Sequence, residues 1–206
     1  MGSRNSLAAG NAEASGDKDM RCKLMSSVVL GMMIAASASA NESSVVQDVT
    51  NQTATVNQTA GNSGSSTVTQ TGNSNEATVT QSDTSAPGIA SSNISDVDQN
   101  GASNIATVTQ DHDGSGTANT STITQLDDAD VSEVSQSGAG NSSTITQSDL
   151  GLGSVYVTQI GANNISIVNQ DGDTNYTAAE QYGDALSVDV DQIGTEGLVE
   201  SVQAGL

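Results

Sequence analysis

The side chains here whose type and spacing could do chemistry are primary amides. Glutamines fall at Gln47, Gln58, Gln70, Gln81, Gln99, Gln110, Gln125, Gln136, Gln147, Gln159, Gln170, Gln181, Gln192 and Gln203. Nine of the thirteen intervals are 11 residues and two are 12, while the remaining two, of 18 and 15, read as loop insertions. Asparagines stand six residues ahead of eight of them, at Asn41, Asn75, Asn93, Asn104, Asn119, Asn141, Asn164 and Asn175. An amide carries two N–H donors and an acceptor oxygen. Copies stacked at strand spacing can therefore bond to one another, and burying them is tolerable only when the copies are in register. The chemistry implied is the recognition of like by like, with these residues forming a self-assembly ladder.

No other constellation competes. His112, in "DHDGSG", reads as a solvated loop residue. Asp111, Asp113, Ser115 and Gly116 match the first half of a calcium-binding EF-hand loop, but Thr122 stands where a bidentate Glu is required. From residue 41 onward there is no Cys, Lys or Arg, which leaves few ways to activate a nucleophile or to stabilise an oxyanion with charge. The expectation is a protein with no enzymatic activity, no cofactor and no dedicated metal site.

The elements that must position the amides follow from parity. Val or Ile stands two residues before the glutamine in twelve of fourteen units, and Ala or Ser four before in ten. Asn-x-Ala-x-Val-x-Gln thus has period 2 and reads as a strand with those four side chains facing inward. Glycine follows two residues after the glutamine at Gly72, Gly101, Gly138, Gly161, Gly172, Gly183 and Gly194, where a tight reversal needs positive φ. Strand, turn and strand return the chain to its starting edge, and fourteen strands give about seven rungs stacked about 4.8 Å apart. The fold class expected is all-β, a two-sheet β-solenoid over residues 41–206.

Composition agrees with an interior of small residues: there is no Phe or Trp, and only three Tyr. All four basic residues lie within the first 23 positions, whereas 21 of the 24 acidic ones follow residue 40. Such a surface repels nucleic acid and anionic membrane and leaves divalent cations or basic partners compatible with it. Residues 1–40 read as an N-terminal extension followed by a secretory signal peptide. That peptide has a basic start at Arg21 and Lys23, an apolar stretch from Leu24 to about Ala36, and cleavage after Ala40. The stretch is too short to span a bilayer. The exported chain would be thiol-free and not membrane-embedded.

"QTGNSNEATVTQ" (70–81), "QNGASNIATVTQ" (99–110), "QSGAGNSSTITQ" (136–147) and "QIGANNISIVNQ" (159–170) share Gln-x-Gly-x-x-Asn-x-Ala-x-Val-x-Gln. This pattern is similar to the curlin repeat of curli fibre subunits. The resemblance spans about residues 43 to 205. It implies about seven strand-turn-strand curlin repeats and an extracellular, self-assembling functional amyloid of the biofilm matrix, closer to a major than to a nucleating subunit. The partners it implies are further copies of the chain, a nucleating minor curlin subunit and the curli secretion machinery. A second class is an ice-binding or other surface-recognition solenoid, resembling β-helical antifreeze proteins through outward pairs such as Thr78 and Thr80 or Thr107 and Thr109. The Asp96–Asp98 and Asp189–Asp191 interruptions weaken that reading.

Overall fold

A computed structural model describes residues 23–24, 41–59, 64–84, 92–114, 116–148 and 151–205. The apolar export segment, the cleavage point after Ala40 and the Pro87 loop lie outside these residues. Every element among the described residues is a strand. β1 (Lys23–Leu24) is followed by β2 (Glu42–Gln47), β3 (Thr53–Thr59), β4 (Ser65–Thr71), β5 (Glu76–Asp83), β6 (Ile94–Asn100), β7 (Ile105–His112) and β8 (Thr120–Gln125). Then come β9 (Val131–Ala139), β10 (Ser142–Gln147), β11 (Ser154–Ala162), β12 (Ile165–Asp171), β13 (Tyr176–Tyr182), β14 (Ser187–Ile193) and β15 (Leu198–Ala204).

These strands form two parallel sheets. The first runs β1-β2-β4-β6-β8-β10-β12-β14 and the second β3-β5-β7-β9-β11-β13-β15. Successive long strands alternate between sheets, so six turns of solenoid join seven strand pairs. Period-2 burial is visible in single strands: β8 and β10 alternate an outward Ser or Thr with a buried Ser, Ile or Gln. The register places like on like. Val68 pairs with Val97, Gln70 with Gln99, and Val97 with Ile123 across the 15-residue interval. The insertions are therefore absorbed in turns without shifting the register.

The core consists of two columns. Val45, Val68, Val97, Ile123, Ile145, Val168 and Val190 form one, and Val56, Val79, Val108, Val134, Val157 and Ala179 form the other. These branched side chains are stiff and suit the pleat. At the Ala-or-Ser position the two sheets differ. The second sheet opens with Ala54, Ala77 and Ala106, all with no exposed surface, whereas the first carries Ser43, Ser66, Ser95, Ser121, Ser143 and Ser166. The Oγ atoms of those six buried serines have no hydrogen-bond partner among the described residues. Ser132 is different: its Oγ donates to Gln147 Oε1 at 2.6 Å.

Opposite effects of one substitution follow. Ser121→Ala removes an unmatched buried hydroxyl and should raise stability by about 1 kcal/mol, while Ser132→Ala removes a made bond and should lower it by about the same amount. Denaturant midpoints of the two variants check this; shifts of the same sign would contradict it.

The turns are ladders as well. The seven glycines named above have φ between 101° and 150°. In six of these turns a second left-handed residue is not glycine: Ser74, Ser103, Asn163, Thr174, Ala185 and Glu196 have φ of 57° to 64°, while the Gly138 turn uses Gly140 and the glycine-free 126–129 turn has Ala129 at 65°. Each of the non-glycine residues costs about 1–2 kcal/mol. Hydrogen bonds to the neighbouring turn offset this, including Ser103 N to Asn73 O at 2.9 Å and Ala185 N to Ala162 O at 2.8 Å.

Candidate self-assembly ladder

The glutamines close each strand on its inward face and make two continuous amide ladders. In the first sheet, Nε2 of Gln47, Gln70, Gln99, Gln125, Gln147 and Gln170 donates to Oε1 of the next glutamine, ending at Gln192, over 2.7–3.1 Å. In the second, Gln58, Gln81, Gln110, Gln136, Gln159 and Gln181 do the same, ending at Gln203, over 2.7–3.3 Å. The other amide proton crosses to the opposite sheet. Gln110 Nε2 donates to Ile94 O at 2.9 Å and Gln136 Nε2 to Thr120 O at 2.8 Å. Twelve of the fourteen ladder glutamines, all but Gln47 and Gln147, make this crossing bond, which orients the amide, and all the ladder bonds point the same way. Gln203, on the last strand, is the one ladder glutamine that is not buried.

The asparagines behave otherwise. They sit where the turn enters the strand, and their shorter arm reaches backbone instead of the next asparagine. Asn141 Oδ1 accepts from Asn164 N at 3.1 Å, and Asn141 Nδ2 donates to Gly161 O at 2.9 Å. Asn104, Asn119, Asn164 and Asn175 also bond a turn carbonyl through Nδ2 and accept a backbone N–H of the next rung through Oδ1. Asn75 likewise bonds Gly101 O and accepts from Asn104 N, while Asn93 donates to Ser82 O. Stacking of like on like thus holds for glutamine alone; asparagine pins turns together. Sequence period could not separate the two, since both sit at inward positions of one parity.

The turn glycines answer a second demand besides φ. A Cβ on Gly161 would stand 2.1 Å from Gly183 O, and one on Gly172 would stand 1.9 Å from Gly194 O. Successive turns approach too closely for any side chain. On the last rung, a Cβ on Gly194 would meet nothing within 4 Å.

His112 corrects the expectation of a solvated loop residue. It closes β7, has no exposed surface, and stands between Asp83 and Gly138 in a column that is glycine at Gly138 and Gly161. Its Nδ1 accepts from Gly114 N at 2.9 Å, which leaves Nε2–H to donate to Thr117 O at 3.0 Å. Asp83 Oδ1 lies 3.6 Å from Nδ1. Turn closure occupies both ring nitrogens. Of the EF-hand fragment, Asp111 belongs to β7 and Thr122 to β8, while Ser115 lies outside the described residues.

Outward charge is ordered by the same register. Asp96 and Asp98 stand on β6 between Thr67 and Thr69 on one side and Thr122 and Thr124 on the other. Partial burial, and then the neighbouring Asp98 charge, raise the Asp96 pKa above its ordinary 3.8. The folded chain therefore holds this proton where the unfolded chain has lost it. Its contribution to stability is complete below the ordinary value and disappears as pH rises through the raised one. Asp96→Asn should raise the thermal midpoint at neutral pH and leave it unchanged below the carboxylate range; an equal shift at both would contradict the assignment.

The outward threonine pairs divide between the two faces, Thr67 and Thr69, Thr122 and Thr124, and Thr144 and Thr146 on the first sheet and Thr78 and Thr80, and Thr107 and Thr109 on the second.

Residues 167–194, from within β12 to the turn after β14, match the family model described as the curlin associated repeat. The matched stretch contains Gln170, Asn175, Gln181 and Gln192 together with Gly172, Gly183 and Gly194. No curated protein and no solved structure matches the chain. Residues 167–194 are thus similar to a curlin associated repeat, and the columns they contain recur in register through the seven strand pairs of a two-sheet β-solenoid.

Proposed function

We propose that this protein is a structural subunit that assembles end to end with copies of itself into extracellular curli-like amyloid fibres serving biofilm matrix and adhesion. The observation that carries the proposal is the polarity of the glutamine ladders. At the first rung, Oε1 of Gln47 and Gln58 accepts from no described residue. At the last rung, Gln192 and Gln203 each spend one amide proton on a backbone carbonyl, Tyr176 O and Ser187 O, and keep another. The last rung of one subunit therefore offers donors to the acceptors on the first rung of the next, and the backbone edges of β14 and β15 meet those of β2 and β3. Such a heterologous contact leaves a new copy of itself exposed after each addition. β1 occupies the β2 edge beside Val46 and Gln47; cleavage after Ala40 would remove it and free that edge.

The family likeness supports the same reading, because the curlin repeat belongs to structural subunits. Export through the curli secretion machinery, start-up by a nucleating minor subunit, and a role as the major subunit form part of the proposal. So does a role for solution cations, including calcium, in relieving repulsion between stacked carboxylates. Incubation of the purified chain lacking residues 1–40, followed by electron microscopy, tests it. Unbranched filaments that elongate from added seeds are expected, and a chain that stays monomeric with and without seeds overturns the proposal.

A further inference from the structure

All three aromatic residues of the chain face outward on two adjacent strands of the second sheet, and two of them touch. Ser154 pairs with Tyr176 and Tyr156 with Ala178, so Tyr156 on β11 and Tyr176 on β13 are diagonal neighbours on one face. Their ring centroids lie 5.7 Å apart with planes inclined by 41°. Tyr156 is 37% exposed. Tyr176 is half-buried. Tyr182 is exposed but stands apart, its hydroxyl donating to Glu180 Oε2 at 3.1 Å.

Redox composition makes this pair stand out. Every Met and the single Cys lie within the first 33 residues, and there is no Trp. From residue 41 onward, oxidising equivalents cannot be drained by thiol, thioether or indole. His112 is enclosed by the solenoid. The tyrosines are the oxidisable side chains that remain accessible.

We propose that Tyr156 and Tyr176 form a site of oxidative cross-linking, coupled to dityrosine by a peroxidase-class one-electron oxidant that consumes hydrogen peroxide. Each phenol loses one electron and its O–H proton to give a phenoxyl radical. The two radicals join through a carbon–carbon bond between positions ortho to the oxygens. The two ortho C–H bonds then break, and those hydrogens return to the oxygens to restore both phenols. The two electrons and two released protons reduce one peroxide to two waters. Adjustment of the exposed side-chain torsions is enough to bring the ring edges together, since the strands already hold the rings in contact. The product ties β11 to β13 and joins two rungs covalently, as a disulfide would in a chain with thiols. The inference rests on the monomer fold and is independent of fibre formation.

The test uses the full-length chain at high dilution with a heme peroxidase and hydrogen peroxide. Dityrosine fluorescence should appear in the monomeric species, and proteolysis should release one cross-linked peptide pair joining Tyr156 to Tyr176 with the loss of two hydrogens. Y182F should retain that yield; Y156F and Y176F should each lose it. The urea-unfolded chain should also lose it, and the cross-linked chain should unfold at a higher denaturant midpoint than the untreated one. Equal yield from the unfolded chain, persistence in Y176F, or cross-links distributed over all three tyrosines would overturn the proposal.

Discussion

Gly161→Ala should destabilise the solenoid by about 3–5 kcal/mol, combining strained backbone with overpacking. Gly161 holds φ at 117°, and the added methyl would lie 2.1 Å from the carbonyl oxygen of Gly183 in the next rung. That oxygen is backbone and accepts from Asn164 Nδ2, so it cannot move aside without breaking a second contact. Gly194→Ala provides the contrast. It has a similar φ of 125° but open space in front of it, since among the described residues no turn stacks on it. Only the strain remains, about 1–3 kcal/mol. If subunits stack on the last rung, however, that space is filled in the fibre. Gly194→Ala should then elongate seeds far more slowly than its modest loss of monomer stability would explain. Denaturant midpoints and seeded growth rates, measured together, separate the two effects; parallel changes in both variants would contradict the stacked-turn account.

Gln159→Ala should cost about 3–5 kcal/mol, the sum of unmatched buried partners and the cavity left behind. Gln159 accepts from Gln136, donates to Gln181 and donates across the core to Ser142 O, at 2.8, 2.8 and 3.0 Å. Removing it orphans a buried donor above, a buried acceptor below and a part-buried carbonyl opposite. Thr109→Ala on the outer face should stay within about 0.5 kcal/mol of the parent. Unfolding midpoints give the energies. In a dye-binding assay the lag should lengthen for Gln159→Ala and hardly change for Thr109→Ala, and equal effects would mean that inside and outside had been exchanged.

Much of this architecture was legible because the repeat states it many times over. Columns such as Val68, Val97 and Ile123 or Gln70, Gln99 and Gln125 come from a period of two inside a period of eleven, and register follows from superposing them. The remainder required coordinates. Nothing in the letters Ser74, Ala129 or Glu196 marks a left-handed residue, because hydrogen bonding between stacked turns, not side-chain type, holds that conformation. His112 looked like a loop residue among aspartates and glycines, yet it fills an inward column between Asp83 and Gly138 and closes its own turn. Asparagine and glutamine shared one inward parity, and only the length of their arms against the turn backbone gave them different partners. The partnerless serine column was hidden by counting Ala and Ser together; sorting alternate strands separates it from the alanines of the other sheet.

The account rests on assembly extending the rung-on-rung stacking that builds the monomer. X-ray diffraction from aligned fibres of the chain lacking residues 1–40 tests this most directly. Strands perpendicular to the fibre axis predict a sharp meridional reflection near 4.8 Å and an equatorial one near 10 Å from the two packed sheets. Fibres in which the 4.8 Å reflection falls on the equator, with strands along the axis, would contradict end-to-end stacking of the glutamine ladders.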